Sequence, residues 1–516
     1  MPRFLFLVLL SAACGDDPSD ATPPTDAPGT ADTAEPTVPT PGSEAALASL
    51  DLGVALIPPF EPGRSFYALR ASALGDEVVV DAEASEGDAE ITVWMETVDG
   101  EWLETGEALS VDSDRRIRID VVSGNGAATR TYAIGLLPDN LPRPYVEGAA
   151  TEGWTFLSAR SSDDLYGRFL LIVDDLGTPA WWRRAKGGDF RVTGDGRISW
   201  HGPVDGFEGP RNVVLSPDRD AFDVNLGPGP IPDGWESVEV DEHEWDVVDA
   251  DSAIGIILGK VKEDLTAYGS GPEQLVEHQK AQHMDHEGNI LFEWSTQGLL
   301  PYELLPPNLY SNIGKPDWEP FHINSVAVDP EDGHWVLSLQ RVSMVVKVAR
   351  HGPQEGQVLW KLSGGAGSDL TIVDDVRPSG WVGFAGQHDV RVTGPNRVSM
   401  YDAGLGDSGG RGDARYVEYE LDLDTMEARV IDEHVWTGWG NGGAGGTAQR
   451  LPNGGVLVGF GSLTEGDDGT NVPLAMELSP EGEEVWSLWC PGVTWSYRAW
   501  RQHGDPLAWS WSRTPG

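Results

Sequence analysis

Hydrophobic positions along this chain alternate with polar ones in short runs and scarcely ever recur at helical spacing. "RSFYALRAS", "DEVVVDAEAS", "AEITVWMET", "RRIRIDVVS" and "TRTYAIGLL" follow one another between Ala45 and Pro138. Period-two alternation bounded by Gly and Asp predicts strands with one buried face. Residues 45–138 therefore read as a small antiparallel β-sandwich. The segment holds no histidine and no evident chemistry, so its expected role is a spacer or support.

Beyond residue 139 the alternation acquires a repeat. A turn followed by a strand ending near Trp recurs as "DLGTPAWW", "EGNILFEW", "EGQVLWKL" and "EGEEVWSLW". A second unit, a turn followed by an apolar strand, recurs as "GDGRISW", "DSAIGIILG", "EDGHWVLSL", "GPNRVSMYD" and "PNGGVLVGF". Members of the second set lie roughly 60 residues apart, the mark of a propeller whose blades bury a face only against their neighbours. About 375 residues at that spacing make about six blades. The predicted fold class is all-β, a six-bladed β-propeller over 139–516 preceded by the sandwich.

The first 44 residues differ from both. Arg3, the apolar run Phe4–Leu10 and the small residues Ser11, Ala12 and Ala13 lead into Cys14. That pattern is a secretion signal, too short to span a bilayer. It resembles a bacterial lipoprotein signal, in which Cys14 would be lipidated and residues 1–14 form the signal segment. The implied location is the periplasm or the outer-membrane or cell surface. Residues 15–44, rich in Pro, Thr, Asp and Ala, cannot repay chain entropy by burial and read as a disordered tether.

Composition narrows the partners. Thirty-five Lys and Arg against 83 Asp and Glu give a net charge of −48. Such a chain repels nucleic acid and anionic membrane surfaces, so no nucleic-acid partner is expected and membrane contact only through the lipid anchor. With Cys14 lipidated, Cys490 has no partner for a disulfide and reads as a buried core thiol. The 21 Trp are mostly core, with one or two to spare for stacking a phenolic ring.

A propeller gathers residues distant in sequence at one end of its channel. His243, His322 and His388 each precede a strand, a turn and a second strand in successive units, and Arg341 ends the His322 segment. Three histidines suggest a metal by residue type. Arg341 beside them argues against a cation and suits an anionic group such as sulfate or phosphate. His278, His283 and His286 in "EHQKAQHMDHEGN" are read as solvated strand faces, "DAGLGDSGGRGD" as an ordinary mobile loop, and the Arg411–Asp413 tripeptide within it as chance.

"FHINSVAVDPEDGHWVLSLQR", "GQVLWKLSGG", "GQHDVRV…VSMYDAG", "GGTAQRLPNGGVLVGFG" and "SYRAWR" resemble the bacterial arylsulfate sulfotransferase (arylsulfotransferase) family, in order, over most of the chain after Leu141. The resemblance implies a periplasmic six-bladed propeller that moves a sulfuryl group from a phenolic sulfate ester to a phenol. It implies no nucleotide sulfate donor, no cofactor and no metal, and a sulfated histidine intermediate. Carried over by motif, His388 would be the nucleophile. His322 and Arg341 would hold the sulfuryl oxygens, Asn324 of His-x-Asn-Ser would bind substrate, and His243 would be a further catalytic residue. Three features depart from the pattern: Glu244 follows His243 where a His pair is common, Ala403 stands where Asn is usual, and there is no Cys pair. "LASLDLGVALIPPFEPGRSFY" and "TRTYAIGLL" resemble the cadherin-like sandwiches of bacterial surface proteins. The competing expectation is a catalytically silent propeller lipoprotein that binds a ligand or a surface partner.

Overall fold

Strand alternation and turn chemistry give an almost entirely β structure. The computed structural model describes residues 44–504, except 75–76, 97–101, 105–108, 111–115, 162–166, 194–196, 204–209, 216–221, 226–230, 250–251, 286, 407–408, 411 and 464–470. Cys14, the 15–43 part of the tether, His286 and Arg411 lie outside the described residues.

In the N-terminal segment a five-stranded sheet runs in the order Phe66–Arg70, Thr129–Leu137, Arg116–Val122, Glu90–Glu96 and Trp102–Glu104. Two short two-stranded sheets share its core, which joins Leu47, Leu50 and Val78 to Tyr67, Ile117, Ile119, Tyr132 and Ile134. One pair departs from the antiparallel expectation: Phe66–Arg70 lies parallel to Thr129–Leu137. The two strands are separated by nearly the whole segment, so a long crossover joins them where a hairpin would force antiparallel pairing.

Six further sheets of four or five strands follow among the described residues. Each presents one edge strand inward: β1 (Gly188–Val192), β2 (Trp235–Asp249), β3 (Ile323–Val328), β4 (His388–Gly394), β5 (Thr447–Arg450) and β6 (Val493–Gln502). Successive inner strands touch, and β6 touches β1, so the sheets close into a propeller. The two ends of the propeller segment lock the ring twice. β6 pairs with Trp154–Ser161, and Tyr145–Gly148 pairs with Glu484–Trp489. Closure packs the inner edge strands against one another and leaves each sheet one short outer edge.

The sandwich is fused to this ring rather than held apart from it. Phe66 and Ala133 belong to one core with Phe156, Leu170 and Phe190, and Arg64 forms an ion pair with the buried Asp174. Burial pushes the Asp174 carboxyl up to about 6, against the pull of Arg64 and of the Thr178 and Leu176 amides.

Cys490 is buried in the core beside Trp486 and Leu488, as expected. Burial alone pushes its thiol up to about 12. Because the thiolate is the nucleophile, the native protein should leave Cys490 unmodified by iodoacetamide at pH 8, whereas denatured protein should be alkylated there. Peptide mapping of native and denatured samples checks this; equal modification in both would contradict the burial.

The histidines of "EHQKAQHMDHEGN" correct the sequence reading. His278 and His283 are buried, not solvated. They lie five residues apart on the strand Gln274–Asp285, and an odd separation sends them to opposite faces. His278 hydrogen-bonds Thr296 and Glu263, while His283 faces Arg350.

Candidate active site

The inner strands deliver the predicted histidines at bulges. β2 shifts register between Val240 and Trp245, which throws Asp241–Glu244 out of the ladder. β3 is irregular between Ile323 and Ser325, and β4 between His388 and Arg391. His322 and Asp389 hold positive φ of 64° and 55°. Such strain in non-glycine residues persists only where the surroundings over-determine it, and it re-aims side chains out of the regular pleat.

His243 and His322 meet directly. Their Nε2 atoms lie 3.1 Å apart, with ring planes at 88°. Each Nδ1 faces a carboxylate: Asp241 Oδ1 at 2.5 Å from His243, and Glu319 Oε1 at 2.9 Å from His322. Burial would raise both carboxyls, but the histidines hold them below their ordinary values, with Arg341 adding to the pull on Glu319. Ionised carboxylates only accept hydrogen bonds, so both Nδ1 atoms carry hydrogens. The Nε2–Nε2 contact then requires one more proton, and the pair holds one positive charge between two rings. Burial would lower His243, but the charge and hydrogen bond of Asp241, with Glu242 and Glu319, raise it above the usual histidine value.

Arg341 joins this group through Glu319, with Nε 3.2 Å from Oε2. The backbone explains its position. Beyond the strand Trp335–Leu339, the amides of Gln340 and Arg341 continue pairing with the carbonyls of His322 and Phe321. The guanidinium therefore lands next to the histidine whose segment it ends.

His388 is a different kind of histidine. It is 4% exposed, and its Nδ1 lies 3.0 Å from the Gly386 carbonyl. The Gly445 N–H donates to its Nε2 at 3.2 Å. A carbonyl can only accept and an amide N–H can only donate, so the ring is neutral, with hydrogen on Nδ1 and a lone pair on Nε2. Burial and the charges of His243 and His322 lower its pKa well below the usual value, outweighing the Gly386 carbonyl. One imidazole is thus kept neutral beside a pair kept charged.

The amide that caps His388 belongs to the loop "GWGNGGAGG". Gly445 and Gly446 hold φ of +79° and +119°, and a Cβ at Gly446 would stand 2.2 Å from the Tyr401 ring. Only glycine allows the loop to pass so close. Asp413, at the end of the "DAGLGDSGGRGD" segment, accepts the N–H groups of Gly438 and Gly440 at 3.1 and 2.9 Å and pins the loop's base.

Asn324 is fully buried and turned to the protein rather than to an open face. Its Nδ2 donates to the Gln387 carbonyl at 2.8 Å, joining β3 to the residue before His388. Gln387 in turn donates to Ser338, Leu339 and Met344.

Beneath the histidines lies an ion cluster that the sequence did not reveal. Glu244, whose side chain is 0% exposed, faces Arg191 at 2.7 Å, Arg391 at 3.0 Å and Arg498 at 3.2 Å. Arg498 also meets Asp189 at 2.7 Å, and Arg391 meets Asp389 at 2.5 Å. Three guanidiniums thus meet four carboxylates, the fourth being the partly exposed Asp246, 3.9 Å from Arg191. Arg498 additionally donates to the Asn324 carbonyl, and all three arginines lie within 5.7 Å of the Trp500 ring. At the bulge His243 turns to His322 while Glu244 turns to this cluster. Glu244 where a His pair is common therefore leaves the His243–His322 contact in place. The contributions of Asp241, Glu319, Arg498 and Gly445 were also missed. The signal available was an acidic residue two or three places before each of His243 and His322.

The arrangement can supply a neutral nitrogen nucleophile, a protonated imidazole pair and a guanidinium, a set suited to transfer of an anionic group. Among structures in the fold comparison, the periplasmic gluconolactonase of Pseudomonas aeruginosa is similar at 10% identity and TM-score 0.34, over 80% of this chain and 99% of that one. A gluconolactonase of Xanthomonas campestris is similar at 12% identity and TM-score 0.31, over 67% and 89%. No curated protein matches. A family model described as Arylsulfotransferase (ASST) matches residues 224–477, a span that holds His243, His322, Arg341, His388 and Gly445. That match places residues 224–477, just under half of the chain, in the arylsulfotransferase family.

Proposed function

We propose that this protein moves a sulfuryl group from a phenolic sulfate ester to a phenol through a sulfated His388. The observation that carries the reading is the neutral His388 lone pair within electrostatic reach of the charged His243–His322 pair, to which Arg341 is joined through Glu319. In the first half-reaction Nε2 of His388 attacks sulfur while the S–O(aryl) bond breaks. The departing phenolate takes the shared proton of the His243–His322 pair. The Gly445 N–H leaves the lone pair as sulfur arrives, and with Arg341 it faces the sulfuryl oxygens. In the second half-reaction an acceptor phenol gives its proton back to the pair, and its oxygen attacks sulfur as the S–N bond breaks. Fixed donors aimed at developing charge lower such barriers by several kcal/mol. Export through the Phe4–Leu10 signal and lipidation at Cys14 belong to the same proposal, with the acidic surface kept clear of the membrane by the tether.

Brief exposure to 4-nitrophenyl sulfate should add one sulfuryl mass to the protein, and added phenol should remove it. A protein that binds the ester and gains no mass belongs to the second reading, a silent binding module. The burial of His388 and the Gly445 cap on its lone pair favour that reading, so the labelling separates the two.

The pH dependence follows from the two histidine environments. His388 must be neutral, and its pKa is depressed, so the acidic limb should lie well below the ordinary histidine range. The proton on the pair is needed, and the His243 pKa is raised, so activity should fall as pH rises through that raised value. Asp241→Asn removes the charge that holds the proton and should move the alkaline limb down by about one pH unit. A profile of kcat/KM against pH that is identical in the two proteins would contradict this role for the pair.

A further inference from the structure

We propose that the cavity beside Arg341 is the aryl subsite, taking the single aromatic ring of a phenolic sulfate or phenol with its oxygen toward the guanidinium. This deepens the reading above and rests on it. The cavity has a volume of about 210 Å³ and is walled by Leu300, Leu304, Pro306 and Trp381, with Arg341 and Ser343 at its polar end. Among the described residues of the wall, Arg341 alone carries a charge. An apolar chamber with one guanidinium fits a flat hydrophobic ring bearing one anionic or phenolic oxygen. Apolar cavities of about 150 Å³ hold benzene, so this one takes a ring with a substituent and crowds a fused pair.

Two connections tie the cavity to the histidines. Arg341 belongs both to its wall and to Glu319, the carboxylate that holds His322. Ser343 Oγ accepts the Gly386 N–H at 3.2 Å, and the Gly386 carbonyl accepts His388 Nδ1–H at 3.0 Å. The cavity's polar end is thus two hydrogen bonds from the nitrogen ring that would receive the sulfuryl group. The Trp381 indole is fixed by its N–H to the Phe384 carbonyl at 2.9 Å, which presents the ring as a wall. Gly365 and Ala366, also on the wall, add little bulk.

The test uses the full chain with 4-nitrophenyl sulfate as donor and phenol or 2-naphthol as acceptor. Trp381→Ala should raise KM for the donor about tenfold while protein at saturating donor still gains one sulfuryl mass. It should also shift the ratio of kcat/KM for phenol over naphthol by about tenfold toward naphthol. Leu304 is 40% exposed, so Leu304→Trp narrows the mouth with little risk to folding and should shift that ratio toward phenol. Normal sulfuryl uptake with unchanged KM and unchanged ratio in both variants would overturn the subsite alone. Absence of uptake by the unsubstituted protein would overturn the parent reading and the subsite together.

Discussion

His388→Ala should lose aryl sulfate to phenol transfer by on the order of 10⁴-fold or more, the scale seen when a covalent nucleophile is removed. The same variant should gain no sulfuryl mass from the donor. His243 and His322 cannot substitute, because each directs Nδ1–H to a carboxylate and their Nε2 atoms share a proton, leaving no free lone pair on the charged pair. The fold should survive. The alanine leaves the Gly386 carbonyl and the Gly445 amide without the ring, at a cost of about 1–3 kcal/mol for unmet buried polar groups. Neither hydrogen bond belongs to the ladders that close the ring. Circular dichroism and thermal unfolding check the fold, and release of 4-nitrophenol checks the chemistry. A variant that transfers sulfuryl at the parent rate would end the role assigned to His388.

The strands were legible because alternation and turn residues are local properties. "EDGHWVLSL" and "GPNRVSMYD" announced strands, and the Trp335–Leu339 and Arg397–Asp402 strands stand there. The grouping of His243 with His322 was legible for a related reason: corresponding positions in successive units fall on successive inner strands, and the ring brings those together. What the sequence hid was set by direction. Whether Glu244 points to the site or away from it depends on a bulge in β2, and no pattern of residue types marks that register shift. The burial of Asn324 was hidden similarly, since its partner is a carbonyl on another sheet. The parallel strand at Phe66–Arg70 was missed because alternation is the same in either direction. Arg498, in "SYRAWR", reads as an ordinary strand cation until ring closure carries β6 against β1 and places it 2.7 Å from Asp189.

That closure makes Glu244 the residue whose loss should cost the most stability. Glu244→Ala should destabilise the fold by about 3–5 kcal/mol, the scale for stripping one partner from a buried charge network. Glu244 meets all three guanidiniums, so removing it strips Arg191, Arg391 and Arg498 of the fully buried carboxylate they share. Burial alone would raise the Glu244 carboxyl, but Arg391, Arg498 and Arg191 together drive it far below its ordinary value. A depressed folded-state pKa contributes stability that is present above the unfolded value and lost as pH falls through the folded one. The parent protein should therefore weaken only at strongly acidic pH on this account. Glu244→Gln keeps the shape and drops the charge, so it should lose this contribution at neutral pH and flatten the acid dependence. Added salt should restore little, because screening hardly reaches a fully buried cluster. Urea unfolding at pH 7 and at about pH 2 measures both effects. A change below 1 kcal/mol for Glu244→Ala would mean that Asp189, Asp389 and Asp246 suffice to neutralise the arginines, and that the register of β2 is held by backbone pairing without the help of this carboxylate.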